Sequence, residues 1–267
     1  MDLRTRARKL GPRAFARWIL LKRIGKLSFR RIDEILASQS LVGDPTVFDP
    51  QLFPWVAELE ADWKKVREEL DVLLQHRELL RNLQDIQPDQ TKVSPDDKWK
   101  AFVLYGYGIR SERGCARCPE TAKLLERVPG MTSAWFSILA PGKHIPRHAG
   151  ITKGVIRVHL ALKVPQRAER VRMQVGGATC HWREGHCLLF DDSRKHEVWN
   201  DTDEERVVLI FDFVRPMRWP GRAAFRVQQW MLRLSPFVRD ARRNQIAWED
   251  RILEALEERP GAAAAPH

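Results

Sequence analysis

Two histidines, His148 and His196, sit in stretches of alternating, strand-like sequence, HIPRHAGITKGVIRVHLAL and LLFDDSRKHEVWNDTDEERVVLIFDF. A neutral imidazole is a good ligand for divalent iron or zinc. Two rings this far apart in the chain can share one ion only if a mostly β core folds them together. Metal chemistry is therefore the first expectation. In residues 155–162, VIRVHLAL, the two-residue period of a strand places Arg157 and His159 on one face, with Ile156, Val158, Leu160 and Leu162 on the other. In residues 206–213, RVVLIFDF, Arg206 shares a face with Val208, Ile210 and Asp212. An arginine entering so apolar a strand needs an anion. Guanidinium grips a carboxylate through two parallel hydrogen bonds, which suits Arg206 to anchoring a carboxylate co-substrate near the metal.

These residues need a scaffold, and the rest of the chain supplies the signals for one. Trp55, Val56, Leu59, Trp63, Val66, Leu70 and Leu73 recur at helical spacing and predict a helix packed on the barrel. Residues 84–98 read as a polar loop, residues 99–107 as a strand and residues 119–127 as a short helix closed by Pro129 and Gly130. Short strands follow at 134–139, 155–164, 170–175, 179–182, 186–190, 196–200 and 206–214. Their regular spacing argues for an antiparallel sandwich or jelly roll. The expected organisation is a basic arm over residues 1–48, a jelly-roll domain with its own N-terminal helix over 49–216, and a basic amphipathic helical extension with a disordered tail over 217–267.

The 267 residues carry a formal net charge of +11, which favours an anionic partner. Between residues 1 and 32, Arg4, Arg6, Arg8, Lys9, Arg13, Arg17, Lys22, Arg23, Lys26, Arg30 and Arg31 face only Asp2, so this arm holds most of the excess. The apolar run at 15–24 is broken by charge well short of the ~20 residues a bilayer crossing needs, and no small-residue cleavage site follows it. A cytoplasmic location is expected, with peripheral contact at the inner membrane face. Cys115, Cys118, Cys180 and Cys187 are too few for a secreted disulfide scaffold. Cys115 and Cys118 have half the spacing of a zinc site, but Cys180 and Cys187 lack the matching half, so chance proximity or a disulfide is the simpler reading. His144 and His148 have the spacing of a helical zinc pair, yet Pro141, Gly142 and Pro146 oppose a helix, so His144 is read as a loop residue. Either His148 or His196 alone would more simply be structural; it is the set that points to chemistry.

The blocks SxLxPGxHIPxHxG, RVHLAL, WxEGxxLLFDDSxxHEVWN and RVVLIFDFxRP, in this order between Trp99 and Pro216, resemble the aspartyl/asparaginyl β-hydroxylase family of Fe(II)- and 2-oxoglutarate-dependent dioxygenases. The resemblance implies a double-stranded β-helix of the cupin-like jelly-roll kind, flanked by helices. It implies that His148 and His196 ligate iron, that Arg206 holds the distal carboxylate of 2-oxoglutarate, and that Ser137, Arg157 and His159 complete that pocket. Many such oxygenases add an acidic ligand two residues after the first histidine. Here that position is Gly150, as in the β-hydroxylases, where water takes the place of the carboxylate. Asp191 and Asp192 could orient a ligand without binding metal. The implied reaction consumes O2 and 2-oxoglutarate and hydroxylates an unactivated C–H bond.

The segment after Pro216 resembles the bacterial branch that includes lipid A hydroxylases. Trp219, Phe225, Trp230 and Phe237 set among arginines suit a membrane interface, so the acyl chain of a lipid is the expected substrate. Hydroxylation of Asp or Asn in an acidic peptide, protein or small metabolite is the alternative, and a non-enzymatic metal- or lipid-binding barrel is the second. Nucleic acid is not expected as a partner.

Overall fold

Runs of β-branched and aromatic residues separated by Gly, Pro and Asp become twelve strands in a computed structural model of the chain, which describes residues 28–86, 93–106 and 108–233. In chain order the strands are β1 (Val47–Phe48), β2 (Arg81–Asn82), β3 (Trp99–Gly106), β4 (Ile109–Arg110), β5 (Met131–Leu139), β6 (His144–His148), β7 (Val155–Lys163), β8 (Val171–Val175), β9 (Ala178–His181), β10 (Cys187–Phe190), β11 (His196–Asn200) and β12 (Arg206–Val214). One sheet has the order β1-β10-β7-β12-β5-β3-β2, with β4 on β3; the other runs β6-β11-β8-β9. All pairings are antiparallel. Two antiparallel sheets whose neighbours are so far apart in sequence make a jelly roll.

Helix α1 spans residues 28–38, and α2 (Trp55–Ala61), α3 (Trp63–Gln75), α4 (Leu83–Ile86), α5 (Glu112–Arg117), α6 (Pro119–Glu126) and α7 (Trp219–Arg233) follow. The expected single helix over 55–73 is two, divided at Asp62, whose backbone leaves helical geometry while its carboxylate accepts from Lys65 Nζ. Their apolar face is as expected: Val56, Leu59, Val66, Leu70 and Leu73 are buried, each contributing about 1.5–3 kcal/mol by leaving water. Trp55 packs edge-on against Phe213 and tilted against Phe211. These helices therefore cover the outer face of the large sheet, which explains why β12 is buried along nearly its whole length instead of on alternate residues.

Three expectations require correction. Residues 144–148 form strand β6, and His144 lies on it, because pairing with β11 compensates for the prolines at its edge. The basic arm does not extend to residue 48: α1 packs Leu36 against Met217 and Phe225, and β1 pairs with β10, so the described part of this segment belongs to the barrel. The loop expected over 84–98 begins with the last residues of α4. Residues 1–27 and the tail after residue 233 lie outside the described residues. No helix among the described residues is long and apolar enough to cross a membrane. The four cysteines are free; Cys115 and Cys118 are buried in the core, where desolvation raises both thiols above their usual range.

Candidate active site

Strands β6 and β11 pair so that His148 and His196 are direct cross-strand partners. Their ring centroids are 4.1 Å apart with the planes tilted by 58°. Each ring is locked in the same way. Nδ1–H of His148 donates to the Pro146 carbonyl (2.8 Å), and Nδ1–H of His196 donates to the Arg194 carbonyl (2.9 Å). A proton fixed on Nδ1 leaves the Nε2 lone pair for a metal. Burial and the neighbouring His196 ring push the His148 pKa down to about 4, so this imidazole is neutral at pH 7.

The space beside Gly150, two residues after His148, is taken by Asp192 from the β10–β11 connection. A Cβ on Gly150 would lie 1.8 Å from Asp192 Oδ2, so only glycine tolerates this approach. Asp192 Oδ1 is 3.5 Å from His196 Nε2 and accepts from Arg157 Nη1 at 2.6 Å. Among the described residues no group of three or more His, Cys, Asp or Glu is arranged to hold a metal. The donor set is two imidazoles beside a carboxylate already held by arginine. It fits a ferrous ion that keeps positions open for other ligands.

Arg206 enters the same cavity from β12. It is only 1 % exposed, and its guanidinium lies 4.6 Å above the Trp182 ring. Its Nε and Nη1 have no hydrogen-bond partner, and no carboxylate among the described residues pairs with it. Burial lowers its pKa to about 9. A buried cation without a counter-ion is costly, and a bound carboxylate would offset that cost.

Next to it, Trp182 Nε1–H donates to His159 Nδ1 (3.3 Å), which puts the His159 proton on Nε2. Burial, with Arg206 and Arg157 close by, keeps His159 neutral. Ser137 on β5 accepts from Trp99 Nε1–H (3.0 Å), and its own O–H remains available to donate.

Arg157 faces the cavity as expected, but its guanidinium is engaged. Its Nε and Nη2 fork onto Asp212 (2.8 and 2.9 Å) while Nη1 holds Asp192. Of the two arginines, Arg206 is the one with unpaired donors. Arg157 instead fixes the carboxylate beside His196.

All six residues singled out by the sequence, Ser137, His148, Arg157, His159, His196 and Arg206, line one cavity of about 430 Å³. The sequence reading gave no role to Trp182 or Trp99. Both hold site residues through their indole N–H, but each lies at or just beyond the end of a strand, where alternation alone does not say which side chain reaches the cavity. His144 is turned away, exposed, bound to Glu197 Oε1 (2.7 Å) and stacked on Trp199. Asp191 lies outside the site, in a buried ion pair with Arg215 and Lys153. The remaining cavity wall is largely apolar, including Leu83, Ile86, Tyr105, Trp135, Ile151 and Phe225.

Residues 60–216 match the Aspartyl/Asparaginyl beta-hydroxylase family. "Ornithine lipid ester-linked acyl 2-hydroxylase" from Rhizobium tropici is 40 % identical over 222 residues, which cover 82 % of this chain and 79 % of that protein. "Aspartyl/asparaginyl beta-hydroxylase" from Homo sapiens is 34 % identical over 171 residues, 62 % of this chain and 22 % of that protein. A cupin 2 conserved barrel domain protein from Salinispora arenicola aligns over 52 % of this chain and 92 % of its own at 15 % identity and a TM-score of 0.30. The jelly-roll assignment rests on the strand order and not on that alignment.

Proposed function

Because the chain belongs to the aspartyl/asparaginyl β-hydroxylase family, we propose that it is an Fe(II)- and 2-oxoglutarate-dependent dioxygenase that hydroxylates a C–H bond in the acyl chain of a membrane lipid. The observation that carries the proposal is Arg206, a fully buried guanidinium with no counter-ion among the described residues, in the same cavity as two imidazoles that carry their protons on Nδ1. Iron bound there, with 2-oxoglutarate and O2, supplies the oxidising power to convert C–H to C–OH, with succinate and CO2 as the other products.

The chain's residues provide the rest. His148 and His196 hold the ion through Nε2, their Nδ1–H bonds fixing the ring planes. Arg206 would hold the distal carboxylate of 2-oxoglutarate by charge and hydrogen bonding, and the Ser137 O–H and His159 Nε2–H would add donors around the co-substrate. Arg157 and Asp192 hold the polar side of the ion site in place. The apolar wall excludes water and positions a chain with no polar handle at the carbon to be oxidised.

The lipid reading is favoured over the peptide reading by that wall and by the Rhizobium relative, whose name specifies an acyl chain. Within the expected acyl-chain reading, that name favours an acylated amino-acid lipid over a lipid-A-like one. The enzyme meets it at the cytoplasmic face of the membrane, where the exposed Trp219 and Trp230 on α7 suit the interface.

The test is succinate release by the purified protein with Fe(II), ascorbate, O2 and 2-oxoglutarate. Lipid extract should stimulate it, and mass spectrometry should show one added oxygen on a lipid. His148→Ala should give neither signal. Stimulation by Asp- or Asn-containing peptides and not by lipid would overturn the substrate, and no 2-oxoglutarate consumption with either would overturn the enzyme.

A further inference from the structure

Helix α7 forms part of the mouth of the cavity, and its residues divide sharply by face. At 100° per residue, Gly221, Phe225, Gln228 and Leu232 fall on one side, and the first three are buried against the barrel. Arg222, Arg226 and Arg233 fall together on the adjoining stripe, exposed. Seating of the helix is specific. Phe225 rests on Gly154, where a Cβ would lie 2.1 Å from the ring. Gln228 Nε2–H donates to Asp33 of α1 (3.1 Å), and Asp33 also accepts from the backbone N–H of Lys153 (3.0 Å). The stripe is thus held at a fixed place over the loop that follows His148.

Beneath the stripe lies a second, open cavity of about 460 Å³, lined by Val214, Phe225, Gln229 and Trp230 together with the three arginines. It shares Val214, Phe225, Gln229 and Arg233 with the cavity that contains the histidines, so the two adjoin along α7. No carboxylate lines it, and none of the three guanidiniums forms an ion pair among the described residues. Three cations unpaired among the described residues surround one recess, and the largely apolar cavity adjoins it; together they match an amphiphile that has an anionic head and a hydrocarbon tail.

We propose that Arg222, Arg226 and Arg233 form a binding site for the anionic headgroup of one lipid molecule, whose acyl chain runs past Phe225 towards His148 and His196. The site sets substrate class: it selects for a carboxylate or phosphate at the polar end and fixes which carbons of the chain reach the ion. This rests on the lipid reading above and adds to it a headgroup site outside the hydroxylation centre.

Binding, read without turnover, tests it. Calorimetric titration of the full chain uses three soluble short-chain amphiphiles below their micelle concentrations: dihexanoyl phosphatidylglycerol, N-octanoylglycine and dihexanoyl phosphatidylcholine. At least one of the two anionic compounds should bind saturably and about tenfold or more tighter than the zwitterionic one. The tighter of the two identifies phosphate or carboxylate as the preferred head. Arg226→Gln/Arg233→Gln should remove that preference, a combined loss of roughly tenfold in affinity for the anionic compound. Lys64→Gln, an exposed site on α3, should bind as the wild type does and controls for net charge.

The proposal fails if both anionic compounds bind no better than the choline lipid. It also fails if the double variant keeps the preference, or if Lys64→Gln weakens binding equally. His148→Ala should retain lipid binding while losing succinate release. A headgroup site that fails with succinate release intact leaves the oxygenase standing, and the converse result leaves the site standing.

Discussion

The floor of the cavity draws its polar groups from β5, β7, β11 and β12 and the end of β6, whereas its rim is made by α7, which α1 backs, and the loop at 149–154. On the floor nearly every polar atom has a partner fixed by strand register: His148 faces His196, and Arg157 faces Asp212. Open donors remain on Arg206, Ser137 and His159, and we assign them to the co-substrate. At the rim the contacts are one ring on one glycine and a small hydrogen-bond cluster, with the arginines left open. The difference separates two tasks. Register holds the chemistry in a geometry that tolerates little change, and an appended helix selects what is delivered to it.

The floor is most sensitive to change at the ion site. His196→Ala removes one of two protein ligands, and succinate release should disappear while unfolding stays cooperative. Retained turnover would mean that the floor is not the reaction centre.

Arg206→Met comes next, with an expected loss of about 2–5 kcal/mol in 2-oxoglutarate binding by calorimetry. Its effect on stability has the opposite sign. Burial brings the folded-state pKa down to about 9, below the ordinary arginine range, so from about pH 9 upward the unfolded chain binds more protons and stability rises with pH. Below pH 9 the buried charge is a full burden on the apo protein, and methionine relieves it. The apo variant should therefore melt at or above the wild-type temperature at pH 7, the gap should shrink above pH 9, and 2-oxoglutarate should stabilise only the wild type. An apo variant that melts far lower would show that Arg206 already has a structural partner.

Much of the floor was legible in the sequence because a strand's period of two converts spacing directly into facing. Arg157 with His159, and Arg206 with Asp212, could be placed on shared faces before any coordinates. Periodicity could not show that Arg157 is saturated, since its partners Asp212 and Asp192 come from a neighbouring strand and a loop. Nor could it show Trp182, which supports both Arg206 and His159 from just beyond the end of β9. Strand β6 was hidden by Pro146, a residue that an edge strand accommodates. The break at Asp62 was hidden because the apolar spacing runs through it almost unchanged. Segment 28–38, in which Arg30 and Arg31 are balanced by Asp33 and Glu34, follows the basic run directly and reads as part of it; the packing of Leu36 against Phe225 and Met217 shows instead that it backs α7.

Asp192→Asn probes the floor more gently. The Arg157 bond is weakened from a charged pair to a neutral acceptor, and the carboxylate beside His196 Nε2 is lost. Metal affinity should fall roughly 10–100-fold, the usual penalty for disturbing a group that supports a ligand. Titration with Mn(II) or Fe(II), followed by thermal shift, reads this directly. Unchanged affinity would make Asp192 a packing residue that merely fills the space left by Gly150.

The smallest effect tests whether floor and rim are separable. In Gly154→Ala the new methyl meets the Phe225 ring, so α7 must shift or the loop must move. Overpacking of this kind costs about 1–3 kcal/mol in a denaturant titration. Strand β7 begins one residue later, and its pairing with β10 and β12 does not involve that methyl. Mn(II) affinity should therefore stay at the wild-type value even though the helix is displaced. A parallel loss of metal affinity would mean that α7 is part of the frame of the histidine site, and the division between a rigid floor and a selecting rim would have to be abandoned.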